Sequence, residues 1–241
     1  MEQLPDTIKK ATETFLENVR KAFGEDLISV ILYGPAARGE KSKEPYIHFM
    51  VVVRDNTPSE LVRCAPFIKK WQKKLITVPL FLNPGYIQQS LDTFPLEFLE
   101  MSLSYHVVYG EDVLAGLEFN MDDIRSQCER EVKGKLLYLR AEYLSLRGNS
   151  KGLMDLLNRT LNTFRLLFSG VLYLKEHEIP PKTEAVLDAV IDEYDLDAAQ
   201  FNKLKAAAKG EIKMDDNEAD KLFDRYVEEL DKLSQAIDSM V

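Results

Sequence analysis

The sequence predicts an α+β protein, with a first half that builds an α/β domain on a small mixed sheet and a second half that is an all-helical bundle. Three observations carry this reading. Four short runs, LISVILYG (27–34), YIHFMVVVR (46–54), LITVPLFL (75–82) and YHVVYG (105–110), are largely β-branched, aromatic or aliphatic. No such run recurs after about residue 121, where apolar residues return at steps of three and four. Within that second half, Gly148-Asn149-Ser150, Pro180-Pro181 and Gly210 interrupt the periodicity, and short connections between helices imply antiparallel neighbours. The change of character between Gly116 and Asp122 divides the chain into domains 1–120 and 121–241.

The first predicted helix covers 5–23. Ile8, Ala11, Phe15, Val19 and Phe23 stripe one face. Pro5 suits a first helical turn, and Gly24 suits a stop. Run 27–34 is apolar almost throughout, as a central strand buried on both faces would be. After run 46–54, Asp55-Asn56-Thr57-Pro58-Ser59 is turn chemistry, with Ser59 a candidate cap. A helix over about 59–74 follows, burying Leu61, Val62, Ala65, Ile68 and Trp71 and exposing a basic face around KKWQKK. Pro79 marks run 75–82 as an edge strand or a bulge. Short helices are expected from Pro84 to Leu91 and from Pro95 to Met101, and the acid-led stretch EDVLAGLEF reads as another. Beyond residue 121 five helices are expected, at about 122–147, 150–177, 182–194, 198–209 and 216–240. Ile124, Cys128, Val132, Leu136, Leu139, Tyr143 and Leu146 stripe the first, and Leu222, Tyr226, Leu230, Leu233 and Ile237 the last.

Composition narrows the function classes. The formal net charge of −9 over 241 residues argues against a dedicated nucleic-acid binder, which needs a basic footprint. Cys64 and Cys128 stand apart, without a CxxC or a Cys/His cluster, so buried thiols are expected and a zinc site is not. The opening MEQLPDTIKK lacks a basic and apolar leader. No apolar stretch approaches the ~20 residues of a membrane span. A cytoplasmic protein is expected.

One stretch carries chemistry. In ILYGPAARGEKSKEPYIHFMVVVR, a strand ends in Tyr33-Gly34, a turn holds Arg38 and Gly39, and a second strand opens at Tyr46-Ile47-His48. Glycine at a strand end permits a close backbone approach, and amides opening a helical turn receive anions. Alternate positions of the returning strand share one face, so Tyr46 and His48 point the same way. Arg38 and Lys41 are candidate phosphate contacts. His48 invites a metal or acid–base role, but its nearest co-ligand in sequence is Tyr46, which makes no metal site. The runs around Asp92 and Glu97 offer the nearest acids after the third strand. In the helical half, Arg159, Arg165, Tyr173 and His177 match no catalytic spacing.

The stretch resembles the nucleotidyltransferase superfamily, the fold shared by DNA polymerase beta, aminoglycoside nucleotidyltransferases and small bacterial relatives. LYGPAARGE places Gly34, Ala36, Ala37, Arg38 and Gly39 in family-like positions, and the interval to FMVVV fits the family spacing. The resemblance covers about residues 5–110. A C-terminal helical bundle, as here, accompanies many bacterial members. The resemblance implies nucleotide binding at Gly34, Arg38 and Gly39, in a cleft between the halves, and magnesium held by acids on the second strand. The chain departs from that pattern where the chemistry resides. Pro35 replaces a serine and has neither hydroxyl nor N–H. Tyr46 and His48 replace the two acids, and LITVPLFL carries no third acid. A phenol is a poor magnesium ligand, and imidazole suits transition metals better.

The degenerate motif leads to the expectation of a catalytically impaired nucleotidyltransferase-like protein with a binding or regulatory role. It leans away from an enzyme and from any cofactor. Its ligand would be a nucleotide or another small phosphorylated molecule. An active nucleotidyltransferase with relocated acids, Asp92 or Glu97, and magnesium is the alternative. A pure interaction module is a third reading, with a protein partner or a second copy bound through the helical bundle.

Overall fold

The computed structural model describes residues 4–40 and 46–240, with Asn162 and Ala208 described by their backbone alone. Helix α1 (Asp6–Phe23) runs on from Pro5 and buries Ala11, Phe15, Val19 and Phe23. Four strands follow in the first unit: β1 (Leu27–Tyr33), β2 (His48–Val53), β3 (Leu80–Leu82) and β4 (Tyr105–Gly110). They form one mixed sheet in the order β3-β2-β1-β4. β1 lies antiparallel to both β2 and β4, and β2 lies parallel to β3.

The central pair β1–β2 is covered on both faces. Val30, Leu32, Phe49, Val51 and Val53 face α1 and Trp71. The Phe15 ring stacks on Phe49 at 4.1 Å, and Trp71 leans on Phe15 at 4.8 Å. Ile31, Met50, Val52 and Leu82 face the other way, toward Ile87, Phe98, Met101 and Leu114. These last residues come from α4 (Pro84–Gln89), α5 (Pro95–Leu103) and the segment after β4. This two-sided burial is why both strands read as continuous apolar runs.

Four expectations need correction in this unit. The helix over 59–74 is broken into α2 (Pro58–Leu61), a 3₁₀ turn at Val62–Cys64 and α3 (Ala65–Gln72). Pro66 cannot donate to the Val62 carbonyl, so the helix restarts with Pro66 in its first turn. The restart shifts the phase: Cys64 is buried, while Val62 and Ala65 are exposed. Thr57, rather than Ser59, precedes α2. Run 75–82 pairs at Ile76 and then only over Leu80–Leu82, and β3 is an edge strand, as Pro79 suggested. The stretch EDVLAGLEF forms no helix. There the Asp112 carboxylate accepts from the amides of Leu114 and Ala115 at 3.3 and 3.1 Å, and Gly116 adopts φ 72°. This is turn chemistry outcompeting a helix start. Leu114, Val113, Leu117 and Phe119 still cover the sheet.

The chain divides into two compact units, Met1–Phe119 and Asn120–Val241. The second holds α6 (Met121–Leu146), α7 (Ser150–Thr163), α8 (Arg165–Leu174), α9 (Thr183–Glu193), α10 (Ala198–Ala208) and α11 (Asp216–Asp238). Among the described residues it therefore has six helices where five were expected. The extra break lies at Phe164. The Thr163 hydroxyl donates to the Thr160 carbonyl at 2.8 Å, and the Phe164 amide turns to Leu161 instead. The predicted stripes of α6 and α11 form the core, with Ile124, Val132, Leu139, Leu230, Leu233 and Ile237 fully buried. Asn120, Asn149, Asp197 and Asp215 cap α6, α7, α10 and α11 with their side chains. No helix among the described residues is long and apolar enough to cross a membrane. Cys64 and Cys128 are buried free thiols, both pushed up to about 12 by burial.

Gly110 closes β4 at φ 75°, and a Cβ there would lie 1.9 Å from the Ile28 carbonyl oxygen. Gly134, in the exposed middle of α6, meets nothing within 4 Å. Gly110→Ala is expected to destabilise the chain by roughly 3 kcal/mol or more in urea unfolding. Gly134→Ala is expected to stabilise it by about 0.5–1 kcal/mol.

Candidate functional site

The site is built on the turn that joins β1 to β2. Register sets it: Tyr33 at the end of β1 lies opposite His48 at the start of β2 and opposite Tyr105 on β4. Gly34 then leaves the strand at φ 77°. A Cβ on Gly34 would come to 3.4 Å from the His48 ring, so glycine serves both the conformation and the close approach. Residues 34–40 wind into a tight turn in which four amides are spent internally. Ala37 and Arg38 donate to the Gly34 carbonyl at 3.0 and 3.2 Å, Gly39 to Ala36 at 3.3 Å and Glu40 to Pro35 at 3.0 Å. Pro35 has no N–H to offer. Gly39 ends the turn at φ 67° with open space around it.

Arg38 turns inward; its side chain is 5% exposed. Nη1 donates to Glu100 Oε1 at 3.0 Å, and Nη2 to Glu40 Oε2 at 3.2 Å. Glu40 belongs to the turn, while Glu100 projects from α5 and ties that helix to it. Nε is buried and has no hydrogen-bond partner among the described residues.

His48 sits beside this ion pair. Its Nδ1 lies 3.2 Å from Thr77 Oγ1, and the Thr77 hydroxyl donates to the Ile47 carbonyl at 3.4 Å. With the hydroxyl proton so used, the Thr77 oxygen accepts from an Nδ1-protonated imidazole. The ring leans on Tyr33 at 5.8 Å. Burial, with the Arg38 guanidinium nearby, holds the imidazole below its ordinary value, so it is neutral near pH 7. Burial likewise lowers His106 on β4, and a hydrogen bond with the Ala37 backbone opposes that shift. His106 is therefore another neighbour of the turn. His177, in the second unit, pairs with Glu193 at 2.7 Å.

The structure thus brings Gly34, Arg38 and His48 together and adds Glu40, Glu100, Thr77 and Tyr33. Tyr46 precedes β2 and is exposed. Asp92 stands exposed between α4 and α5, accepting from the Thr93 hydroxyl at 3.0 Å. Glu97 is half-buried on α5, one turn before Glu100. Lys41 lies outside the described residues. Arg165 is buried in α8 and reaches the Pro180 carbonyl at 3.5 Å.

Sequence reasoning missed Glu100. Its signal was a second acid, beside Glu97, within the largely apolar helix PLEFLEMSL, where a half-buried carboxylate needs a cation. Thr77 left no comparable signal.

The residues at the second-strand positions do not fit magnesium. One is a phenol, and the other is an imidazole committed through Nδ1 to Thr77. Among the described residues, no three His, Cys, Asp or Glu side chains gather in a set that would hold a metal ion.

No protein-family model matches the chain, and no curated protein matches it. Among solved structures, it is similar to spectinomycin adenyltransferase AAD(9) from Enterococcus faecialis, with ATP and spectinomycin, at a TM-score of 0.55 and 11% identity. The match covers 90% of this chain and 98% of that one. The fold is nucleotidyltransferase-like. At this identity the likeness is one of fold, and activity rests on the site.

The lowered His48 and His106 values make a pH prediction. A folded state whose imidazoles titrate below an unfolded histidine, near 6.5, binds fewer protons than the unfolded state in that window. Stability is then fully present above about pH 6.5 and is lost as pH falls through the folded values. Urea midpoints should fall between pH 7.5 and 5. His48→Gln, which retains a donor for Thr77, should remove part of that fall. An unchanged slope in the variant would show that His48 does not contribute.

Proposed function

We propose that the chain binds a nucleotide or another small phosphorylated molecule at the Gly34–Gly39 turn and does not transfer a nucleotidyl group. The observation that carries this reading is His48. By the resemblance of the sequence, a metal-binding carboxylate is expected at this position; here the imidazole is neutral and hydrogen-bonded to Thr77. A phosphoryl group in transfer needs its developing charge neutralised. A neutral imidazole and an exposed phenol supply no anionic cage for the metals that do this. The similar fold of an adenyltransferase solved with ATP supports a nucleotide as the ligand class. Among the described residues Arg38 is the cation at the turn, and its engagement with two carboxylates favours modest affinity.

An active protein with relocated acids is the second reading. It draws on α5, where Glu97 and Glu100 stand one turn apart and Glu100 reaches the turn. Asp92, exposed and hydrogen-bonded to its neighbour Thr93, lends it nothing.

The test combines two measurements on the full chain. Incubation with nucleoside triphosphates labelled in the α-phosphate, with magnesium or manganese and with spectinomycin among the acceptors, should yield no labelled product. Calorimetry against ATP should show binding in the micromolar range. Labelled product would establish the active reading, and Glu97→Gln would then be expected to lower the rate at least about tenfold. Failure to bind any nucleoside triphosphate would favour a protein-interaction role.

A further inference from the structure

We infer that Glu40 is the built-in occupant of an oxyanion subsite on Arg38. A phosphorylated ligand would bind by displacing that carboxylate while Glu100 keeps its hold. The inference deepens the binding reading above and rests on it.

A guanidinium presents two forks. One is formed by its two terminal nitrogens, the other by Nε and Nη2. In Arg38, Glu100 takes Nη1 and Glu40 takes Nη2, leaving Nε buried without a partner. Glu40 therefore satisfies half of the side fork. A buried, unsatisfied donor on a cation is costly, because its desolvation is not repaid. Two oxygens of one phosphoryl group match the Nε–Nη2 fork and would meet both donors together. The closed arrangement thus leaves unfilled the position that a bidentate oxyanion would complete.

The two carboxylates hold Arg38 on different terms. Glu40 lies two residues along the same turn, and its bond ties the turn to itself. Glu100 lies 62 residues away on α5, and its bond fixes the guanidinium against a helix. Release of Glu40 leaves that anchor intact. Release of Glu100 frees the turn from α5. Glu40 is also the more exposed of the pair, at 20% against 16%, and it sits at the end of the turn. Displacement by competition makes the apparent affinity depend on the fraction of molecules in which Glu40 has left the fork. The subsite would recognise the phosphoryl oxyanion itself, whether in a nucleotide or in a free polyphosphate.

The experiment titrates inorganic triphosphate, and separately ATP, into the parent chain and the variants Glu40→Gln, Glu100→Gln and Arg38→Lys. Each is first checked for folding by circular dichroism. Glu40→Gln is expected to bind triphosphate about tenfold more tightly than the parent, because the competitor is gone. Glu100→Gln is expected to gain less, and Arg38→Lys to lose at least about tenfold, because a point charge cannot replace the fork. A larger effect with ATP than with triphosphate would mark a nucleotide as the source of the oxyanion; equal effects would mark a polyphosphate. Equal gains in the two glutamine variants would mean general charge relief and would overturn the role of Glu40, as would no gain in Glu40→Gln. In the unmutated chain, the Arg38 Nε–H proton resonance should shift and exchange more slowly when triphosphate is added. An unmoved resonance at saturation would also overturn the subsite. Transfer of label with a tighter Glu40→Gln would refute the non-catalytic reading and leave the subsite standing. Binding by the parent without a gain in Glu40→Gln would do the reverse.

Discussion

The pairing of β1 with β2 tolerates no slippage, because each strand is buried on both faces. Alternate residues enter two different cores, so a shift of one position would exchange them. Phe49 would leave its stack on Phe15, and Met50 would leave the cluster with Ile31 and Leu82. The register that packing enforces puts Tyr33 opposite His48. It follows that the turn leaving β1 must begin against the first residue of β2. The close approach of Gly34 to the His48 ring is a consequence of core packing before it is a feature of any site.

That placement creates an electrostatic demand. A buried guanidinium is tolerable when its donors are met, and breaking one buried partner costs about 3–5 kcal/mol in comparable cases. Arg38 points inward beside a neutral imidazole, which can neither compensate its charge nor share it. Glu40 and Glu100 supply the compensation. The Glu100 bond also anchors the turn to α5. Burial and the neighbouring cation together keep His48 unprotonated, which removes a second positive charge that the pair could not balance.

Much of this was legible in the sequence wherever one force dominated. Apolar runs marked β1 and β2, because two-sided burial leaves no alternation. The periodic stripes marked α6 and α11, and Pro79 marked β3 as an edge. The readings that failed did so where two local tendencies competed. Pro66 interrupted a stripe that continued on either side of it. The Asp112 side chain captured amides that a helix starting at Glu111 would have used. Thr163 took a carbonyl from the helix ladder at Phe164. The site divides in the same way. Gly34, Arg38 and His48 stood out because spacing placed them in a recognisable pattern. Glu100 did not, because its partner lies 62 residues away and only the packing of α5 brings them together. Thr77 meets His48 because the segment before β3 bridges at Ile76, a register that no local pattern encodes.

The uncharged residues Tyr46 and His48 and the ion pairs of Arg38 belong to one charge balance. Carboxylates at positions 46 and 48 would stand on the same side of the strand and would place negative charge near the guanidinium. A cation bound there would answer them, and Arg38 would remain available to an incoming phosphate. With Tyr46 and His48 in those positions, that negative charge is missing. The buried guanidinium then has to find its counter-ions elsewhere, and it finds them in the turn and on α5. The guanidinium of the turn is consequently already neutralised. An anion must compete with Glu40 or Glu100 for the cation, and it finds the amides of Ala37, Arg38, Gly39 and Glu40 already spent. The absence of acids at positions 46 and 48 and the pairing of Arg38 with Glu40 and Glu100 are thus consistent in charge. Restoring acids on β2 alone would add charge to a site whose cation is already satisfied.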